Sequence, residues 1–238
     1  GAVFTMGALH AGHLELVRQA KSDNEVVIAT IFVNPTQFGR GEDFSRYPRD
    51  EDEDIKLLQD SKVDVVFIPQ EVEIYPADFG ATVDIGELSE RLEGFSRPGH
   101  FKGVCTVVLK LLNIVNPDTA YFGQKDAQQL IIIRKMVKDL NVRTTIESVP
   151  TLREPDGLAM SSRNLYLNHE ERRMAGVVPK SLSLAVECYR NGVRYAPNIV
   201  ALIRECLDSE PLLVIDYISV ADMTTLEEFF SMQKALLS

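Results

Sequence analysis

The chain has 238 residues, 45% hydrophobic and 25% charged, which is enough apolar material for one large domain or two modest ones and too much for disorder. Its formal net charge is -10, and an acidic surface disfavours general nucleic-acid binding without excluding a small anion in a local basic pocket. Cys105, Cys188 and Cys206 are scattered with no C-x-x-C, which argues against a disulfide framework or zinc site and fits a reducing cytoplasm, and no apolar stretch is long enough to span a bilayer.

Residues 2–5 read as a short buried strand. From Gly12 the apolar period changes, and Leu14, Val17 and Ala20 recur at helical spacing. Residues 26–33 are β-branched and apolar on both faces, as in a parallel sheet covered by helices, and Asn34-Pro35 stops them. A polar loop reaches Asp50, and residues 50–61 read as a helix with Ile55, Leu57 and Leu58 inward. Residues 63–68 make a third strand and residues 76–100 are irregular. Then come a helix over 101–115, a strand over 120–122, a helix over 126–140 and a strand over 144–149. This order predicts an α/β fold, a Rossmann-like doubly wound parallel sheet. Beyond Leu167 the character changes. Helices are expected over 170–191 and 197–209, an alternating strand over 214–220, and a last helix opened by a Thr224–Glu227 capping box. The expected division is therefore 1–167 and a smaller α+β domain, 168–238.

Four segments could carry chemistry. His10 and His13 flank Gly12 where the first strand yields to a helix. A helix N-terminus offers N–H groups and about half a positive charge, and glycine would let an anion approach the backbone. Two imidazoles one turn apart could both donate to the same phosphate, or could cap the helix and pack locally. Gln37 follows the second strand and can donate and accept, as a carboxylate or hydroxyl ligand requires, or can belong to a self-solvating turn. Gly123, Gln124, Lys125 and Asp126 form a strand-to-helix junction with Gln129 one turn on; Lys125 could neutralise a phosphate, or pair with Asp126 at the surface. Met160, Ser161, Ser162 and Arg163 place hydroxyls and a guanidinium in a row, suited to a triphosphate or to a helix cap. Arg97 and His100 add basic groups to a stretch that is either a flap or a solvated loop. The acidic run 50–54 reads mainly as a helix start using its dipole, with a metal role for Glu53 or Asp54 as the minor alternative. G-x-x-x-x-G-K-[ST] and G-x-G-x-x-G are both absent, so neither a P-loop ATPase nor a dinucleotide dehydrogenase is indicated.

Together these segments resemble the pantothenate synthetase (pantoate–β-alanine ligase) family of the H-x-G-H nucleotidyltransferase superfamily. The carriers are MGALHAGH (6–13), FVNPTQFG (32–39), EDFSRYPR (42–49), RPGHFKGV (97–104), VVLKLLNIVNPDTAYFGQKDAQQL (107–130) and REPDGLAMSSRNLYL (153–167). The resemblance implies an AMP-forming ligase that condenses pantoate with β-alanine through a pantoyl adenylate, making pantothenate, a coenzyme A precursor, and releasing AMP and pyrophosphate. By position, Met6, Gly7, Ala8, Leu9, His10, Ala11, Gly12 and His13 would contact ATP, with His13 as proton donor and His10 beside it. Gly123, Gln124, Lys125 and Asp126 would hold ATP, Lys125 on its phosphates. Gln37 and Gln129 would bind pantoate, Gln37 also lying close to β-alanine. Leu152 would meet the adenine through its backbone, and Met160, Ser161, Ser162 and Arg163 would close over the triphosphate. Mg2+ would accompany ATP, held mostly by phosphates, with Glu53 and Asp54 at most reaching it through water. The resemblance also implies a cytoplasmic homodimer built through the larger domain, with no nucleic-acid or membrane partner. Phe4 stands where the family commonly has proline and Gln124 where glutamate is frequent, and the chain lacks the family's leading residues and the end of its small domain. The histidine motif alone would also permit another nucleotidyltransferase of this fold, or a non-catalytic ATP-sensing or RNA-binding module; the two glutamines argue against the first and the charge against RNA.

Overall fold

In a computed structural model, which describes residues 1–228, 230–231 and 236–237, the first apolar run becomes β1 (Ala2–Thr5), with Ala2 and Val3 fully buried. Helix α1 (Ala11–Asp23) returns along the sheet, and its Leu16, Val17 and Ala20 face inward. Strand β2 (Ile28–Ile31) lies parallel to β1, with Ala2 opposite Ile28 and Thr5 opposite Ile31. The ladder uses only the middle of the expected 26–33 run, because Val26 stays exposed. Pro35, which lacks an N–H, opens a 3-10 turn over Pro35–Gln37, and a second such turn spans Asp43–Ser45.

Helix α2 (Glu51–Asp60) is capped by Asp50, whose Oδ1 accepts from Glu53 N at 3.1 Å. Strand β3 (Val65–Phe67) pairs with β2. A short helix α3 (Glu71–Ile74) follows β3, and the stretch expected to be irregular holds a 3-10 turn over Gly86–Ser89 and the short helix α4 (Glu93–Ser96). Helix α5 (His100–Val115), strand β4 (Thr119–Gly123), helix α6 (Ala127–Asp139) and strand β5 (Thr145–Val149) follow. The sheet order is β3-β2-β1-β4-β5, parallel throughout. One face packs Phe101, Val104, Leu112, Ile132 and Met136 from α5 and α6, and the other packs Val17, Ala20 and Leu58 from α1 and α2. Winding reverses between β1 and β4, and the carboxyl ends of the strands at such a switch point are where open α/β sheets bind ligands.

The chain divides into two compact units, Gly1–Leu152 and Arg153–Ser238. The division falls earlier than the expected Leu167. Residues 153–159 form a turn closed by an Arg153–Ala159 bridge, and Asp156 in it is bonded to Arg172, which ties the segment to the second unit. That unit holds α7 (His169–Ala175), α8 (Val177–Arg190), α9 (Ala196–Asp208) and an antiparallel pair, β6 (Val220–Ala221) with β7 (Leu236–Leu237).

Three expectations are corrected in this unit. The helix over 170–191 is broken at Gly176, because Pro179 has no N–H to donate to the Ala175 carbonyl. Among the described residues the strand over 214–220 shrinks to its end: Val220 pairs, together with Ala221 just beyond the expected range, and Val214 is 91% exposed. Thr224 and Glu227 open no helix at 225–228. Asp222 Oδ1 instead accepts from Thr224 N at 2.7 Å and Thr225 N at 2.8 Å, and Leu226 turns to φ +57°. Much of the rest of that expected helix lies outside the described residues.

Candidate active site

The turn after β1 is built by three elements. Thr5 Oγ1 donates to the Thr30 carbonyl at 2.7 Å and accepts from Gly7 N at 3.2 Å, tying the turn to β2. Gly7 (φ +79°) and Ala8 (φ +50°) are both left-handed, which reverses the chain within two residues. Ala8 N and Leu9 N then donate to the two oxygens of Asp54, at 2.8 and 2.7 Å. Asp54 is 2% exposed on the inner face of α2. Burial raises its pKa, and the two amides oppose the rise. Both oxygens of this metal candidate thus accept backbone N–H groups, while Glu53 turns outward to 3.6 Å from Lys56.

His10 is the N-cap of α1. Its Nδ1 accepts from Gly12 N at 3.1 Å, and His13 Nδ1 accepts from His10 N at 3.3 Å. This is the reciprocal logic of a capping box carried by two imidazoles. Their ring centroids are 4.1 Å apart and the planes tilt by 34°. A neutral imidazole that accepts at Nδ1 carries its proton on Nε2, so both rings are Nε2–H tautomers. Burial first, then the positive charge that His10 takes on when protonated and that of Lys125, lower the His13 pKa to about 3. The expectation of open amides around Gly12 is corrected: the N–H groups of Ala8, Leu9, His10 and Gly12 all have acceptors. Capping and anion donation are compatible, because they use opposite ring nitrogens.

Across the reversal point, Gly123 ends β4 and a 3-10 turn spans Gln124–Asp126. Lys125 lies 3.6 Å from Asp126 in an exposed pair, and its charge reaches His13. Gln124 Nε2 reaches Ser148 Oγ at 3.5 Å. Gln129 is half-buried in the first turn of α6. Its neighbour Gln128 is the anchor there: it accepts from Glu93 N at 3.1 Å and donates to the Arg91 carbonyl at 2.7 Å.

Gln37 sits in the turn after β2. Its Nε2 approaches Met6 Sδ at 3.0 Å, and its Oε1 accepts from Asn34 Nδ2 at 3.0 Å. Asn34 is 1% exposed, and its Oδ1 accepts from Thr36 Oγ1 at 2.9 Å and Tyr75 OH at 2.7 Å. Helix α5 presses on this turn at Gly103, where a Cβ would lie 2.2 Å from the Thr36 carbonyl oxygen. His100 is buried, donates from Nδ1 to the Gln37 carbonyl at 2.7 Å, and accepts at Nε2 from Arg97 at 3.3 Å. Arg97 also pairs with Glu42 at 2.5 Å. Arg97 and His100 are therefore part of the wall behind Gln37, not a solvated loop. Spacing alone could not reveal this, since their partners lie on other elements. A cavity of about 260 Å³ opens beside Met6 and Gly7, between Phe32, Arg49, Asp54 and Pro69.

Leu152 closes the first unit and is 38% exposed. Met160, Ser161, Ser162 and Arg163 belong to the second. Ser161 caps a 3-10 turn by accepting from Arg163 N at 3.3 Å, Ser162 is buried, and Asn164 Nδ2 donates to the Ala159 carbonyl at 3.1 Å. The preceding turn is stapled to α7 by Arg172, which donates to both Asp156 oxygens at 2.5 and 3.2 Å and lies 3.7 Å from Glu154. The Arg172 bond, with help from the Leu158 amide, holds the Asp156 carboxyl down at about 2.

Known proteins resemble this chain throughout its length. The pantoate-beta-alanine ligase family matches residues 1–238. The pantothenate synthetase of Roseiflexus castenholzii is 55% identical over 228 residues, covering 96% of this chain and 82% of the relative. That of Thermoanaerobacter sp. (strain X514) is 52% identical over 239 residues, covering 100% and 84%. Among solved structures, pantothenate synthetase from Thermus thermophilus superposes with a TM-score of 0.96 at 45% identity, covering 99% of this chain and 86% of that one. A pantoate-beta-alanine ligase from Francisella tularensis, complexed with beta-gamma ATP and beta-alanine, superposes with a TM-score of 0.76 at 42% identity, covering 87% and 77%.

Proposed function

This chain belongs to the pantoate-beta-alanine ligase family, and from that premise we propose how its residues condense pantoate with β-alanine at the expense of ATP. A pantoate carboxylate oxygen attacks the α-phosphorus, and the bridging oxygen leaves with pyrophosphate. The β-alanine amine, having lost a proton, then attacks the carbonyl carbon of pantoyl adenylate. The carbonyl–oxygen bond to AMP breaks, AMP leaves with that oxygen, the nitrogen gives up its second proton to water, and pantothenate remains. A free carboxylate is a poor acyl donor, so the protein's task is alignment and charge neutralisation.

The paired imidazoles at the carboxyl end of β1 carry this reading. Both are Nε2–H donors, and His13, with a pKa lowered to about 3, stays neutral at working pH. The role we assign to His13 is hydrogen-bond donation to charge growing on the phosphates, with His10 beside it, rather than delivery of a proton from an imidazolium. Lys125 supplies a point charge on the phosphates. Asp126 faces the ribose hydroxyls, and Leu152 offers backbone to the adenine. Gln37, held from behind by Asn34 and His100, and Gln129 bind pantoate. Met160, Ser161, Ser162 and Arg163 close over the triphosphate, and the second unit, with the segment 168–238 at its heart, acts as the lid. The Francisella relative's complex supports ATP and β-alanine as ligands here too.

Mg2+ enters as part of the ATP substrate. Among the described residues no three His, Cys, Asp or Glu side chains gather as a metal site, and Asp54 has spent both oxygens on amides. Mg2+ commonly relies on substrate phosphates and water rather than an all-protein cage, and no step here runs through it. A cytoplasmic homodimer is the form in which we expect the enzyme to work. No described helix is long and apolar enough to cross a membrane.

ATP–pyrophosphate exchange tests the reading. It is expected to require pantoate and no amine; exchange that runs equally well without pantoate overturns it.

A further inference from the structure

Two successive left-handed residues, one of them Ala8, are not a conformation that a chain keeps by itself, because an L side chain at positive φ is strained. Such a turn persists only where its surroundings over-determine it. Here Thr5 Oγ1 holds the Gly7 amide, and one distant side chain holds the two amides that follow. Asp54 places one oxygen on Ala8 N and the other on Leu9 N, and it does so from α2, more than forty residues along the chain. The fit is close on its other side as well: a Cβ on Gly7 would lie 2.8 Å from Asp54 Oδ2. His10 follows directly after the pinned pair.

We propose that Asp54 is a positioning residue for the nucleotide site: its buried carboxylate sets the turn from which His10 and His13 present their Nε2–H groups to the phosphates. It also has an electrostatic consequence. By occupying the Ala8 and Leu9 amides with an internal anion, it keeps phosphate oxygens from lodging there and leaves the imidazoles as the donors they meet. The inference rests on the reading of the histidine pair as phosphate donors, and its test separates the two.

Asp54→Asn keeps the side-chain shape but turns one acceptor oxygen into an NH2 group facing a backbone N–H. Hydrogen exchange of the Ala8 and Leu9 amides is expected to be slow in the wild-type protein and clearly faster in the variant. In pyrophosphate exchange, the variant's KM for ATP should rise by about tenfold, the scale of one unsatisfied buried polar group, with the KM for pantoate moving less than threefold. Fast exchange of both amides in the wild-type protein overturns the proposal without any variant, so a variant that fails to fold leaves it testable. Kinetic constants all within twofold of wild type overturn it also, whatever the amides do. An inactive Asp54→Asn beside a fully active His13→Ala would strike the histidine reading instead.

Discussion

The turn over residues 6–13 and the segment over residues 153–163 use the same device at opposite ends of the burial scale. In each, an aspartate accepts the bonds that hold the chain in shape. Asp54 is 2% exposed and receives two backbone amides, whereas the Asp156 side chain is 41% exposed and receives a guanidinium. Removing a partner from the first leaves buried polar groups unsatisfied, and removing one from the second lets water take its place. Disturbing the first segment should therefore cost more than disturbing the second.

The largest effect should come from the buried side. His13→Ala is expected to lower pyrophosphate exchange by about 10²–10³, the scale for one charge-stabilising donor. Unchanged turnover would remove His13 from the chemistry. The same ring provides a pH signature. Its folded pKa, about 3, lies below the ordinary 6.5, so as pH falls the unfolded chain takes up the proton first. Stability should be flat in this respect above 6.5 and should decline between 6.5 and about 3. Urea titrations of wild type and His13→Gln across that window should show the variant losing less. An imidazole signal from His13 that titrates near 6.5 would contradict the assignment.

Next in size is Gly7→Ala. It adds a Cβ 2.8 Å from Asp54 Oδ2 at φ +79°, and should cost about 1–3 kcal/mol in urea unfolding. The smallest effect is expected from Arg172→Gln, read as a slight fall in thermal midpoint. Because the Arg172 bond holds Asp156 at about 2, below the usual 3.8, the difference from wild type should be constant from neutral pH down to 3.8 and fade only as the pH falls toward 2. Should Arg172→Gln destabilise the protein as much as Gly7→Ala, the contrast between the two segments disappears.

Much of the site is legible in the sequence. The alternation of strands and helices, the histidine pair at the end of β1, Gln37 after β2 and Lys125 after β4 follow from local pattern, because apolar period and turn residues act over a few positions. Asp54 is not legible that way. An acidic residue in the first turn of a helix satisfies the dipole wherever it points, and only the packing of α2 against the sheet turns it inward. His100 and Arg97 are ambiguous in sequence for the same reason. The strand expected over 214–220 and the helix start expected at Thr224 do not form over the described residues, because alternation and a capping pair are necessary conditions, not sufficient ones.

By itself, then, the amino-acid order determined the α/β class, the family resemblance and the placing of the histidine pair after β1 and of Lys125 after β4. Tertiary structure alone decided how they act: that two Nδ1 atoms cap a helix and leave their protons on Nε2, that a distant carboxylate holds the turn, and that the same kind of bond is buried in one unit and open to water in the other. The physical reason is that hydrogen-bond partners and burial are set by residues far apart in the chain, and it is burial that determines what each bond is worth.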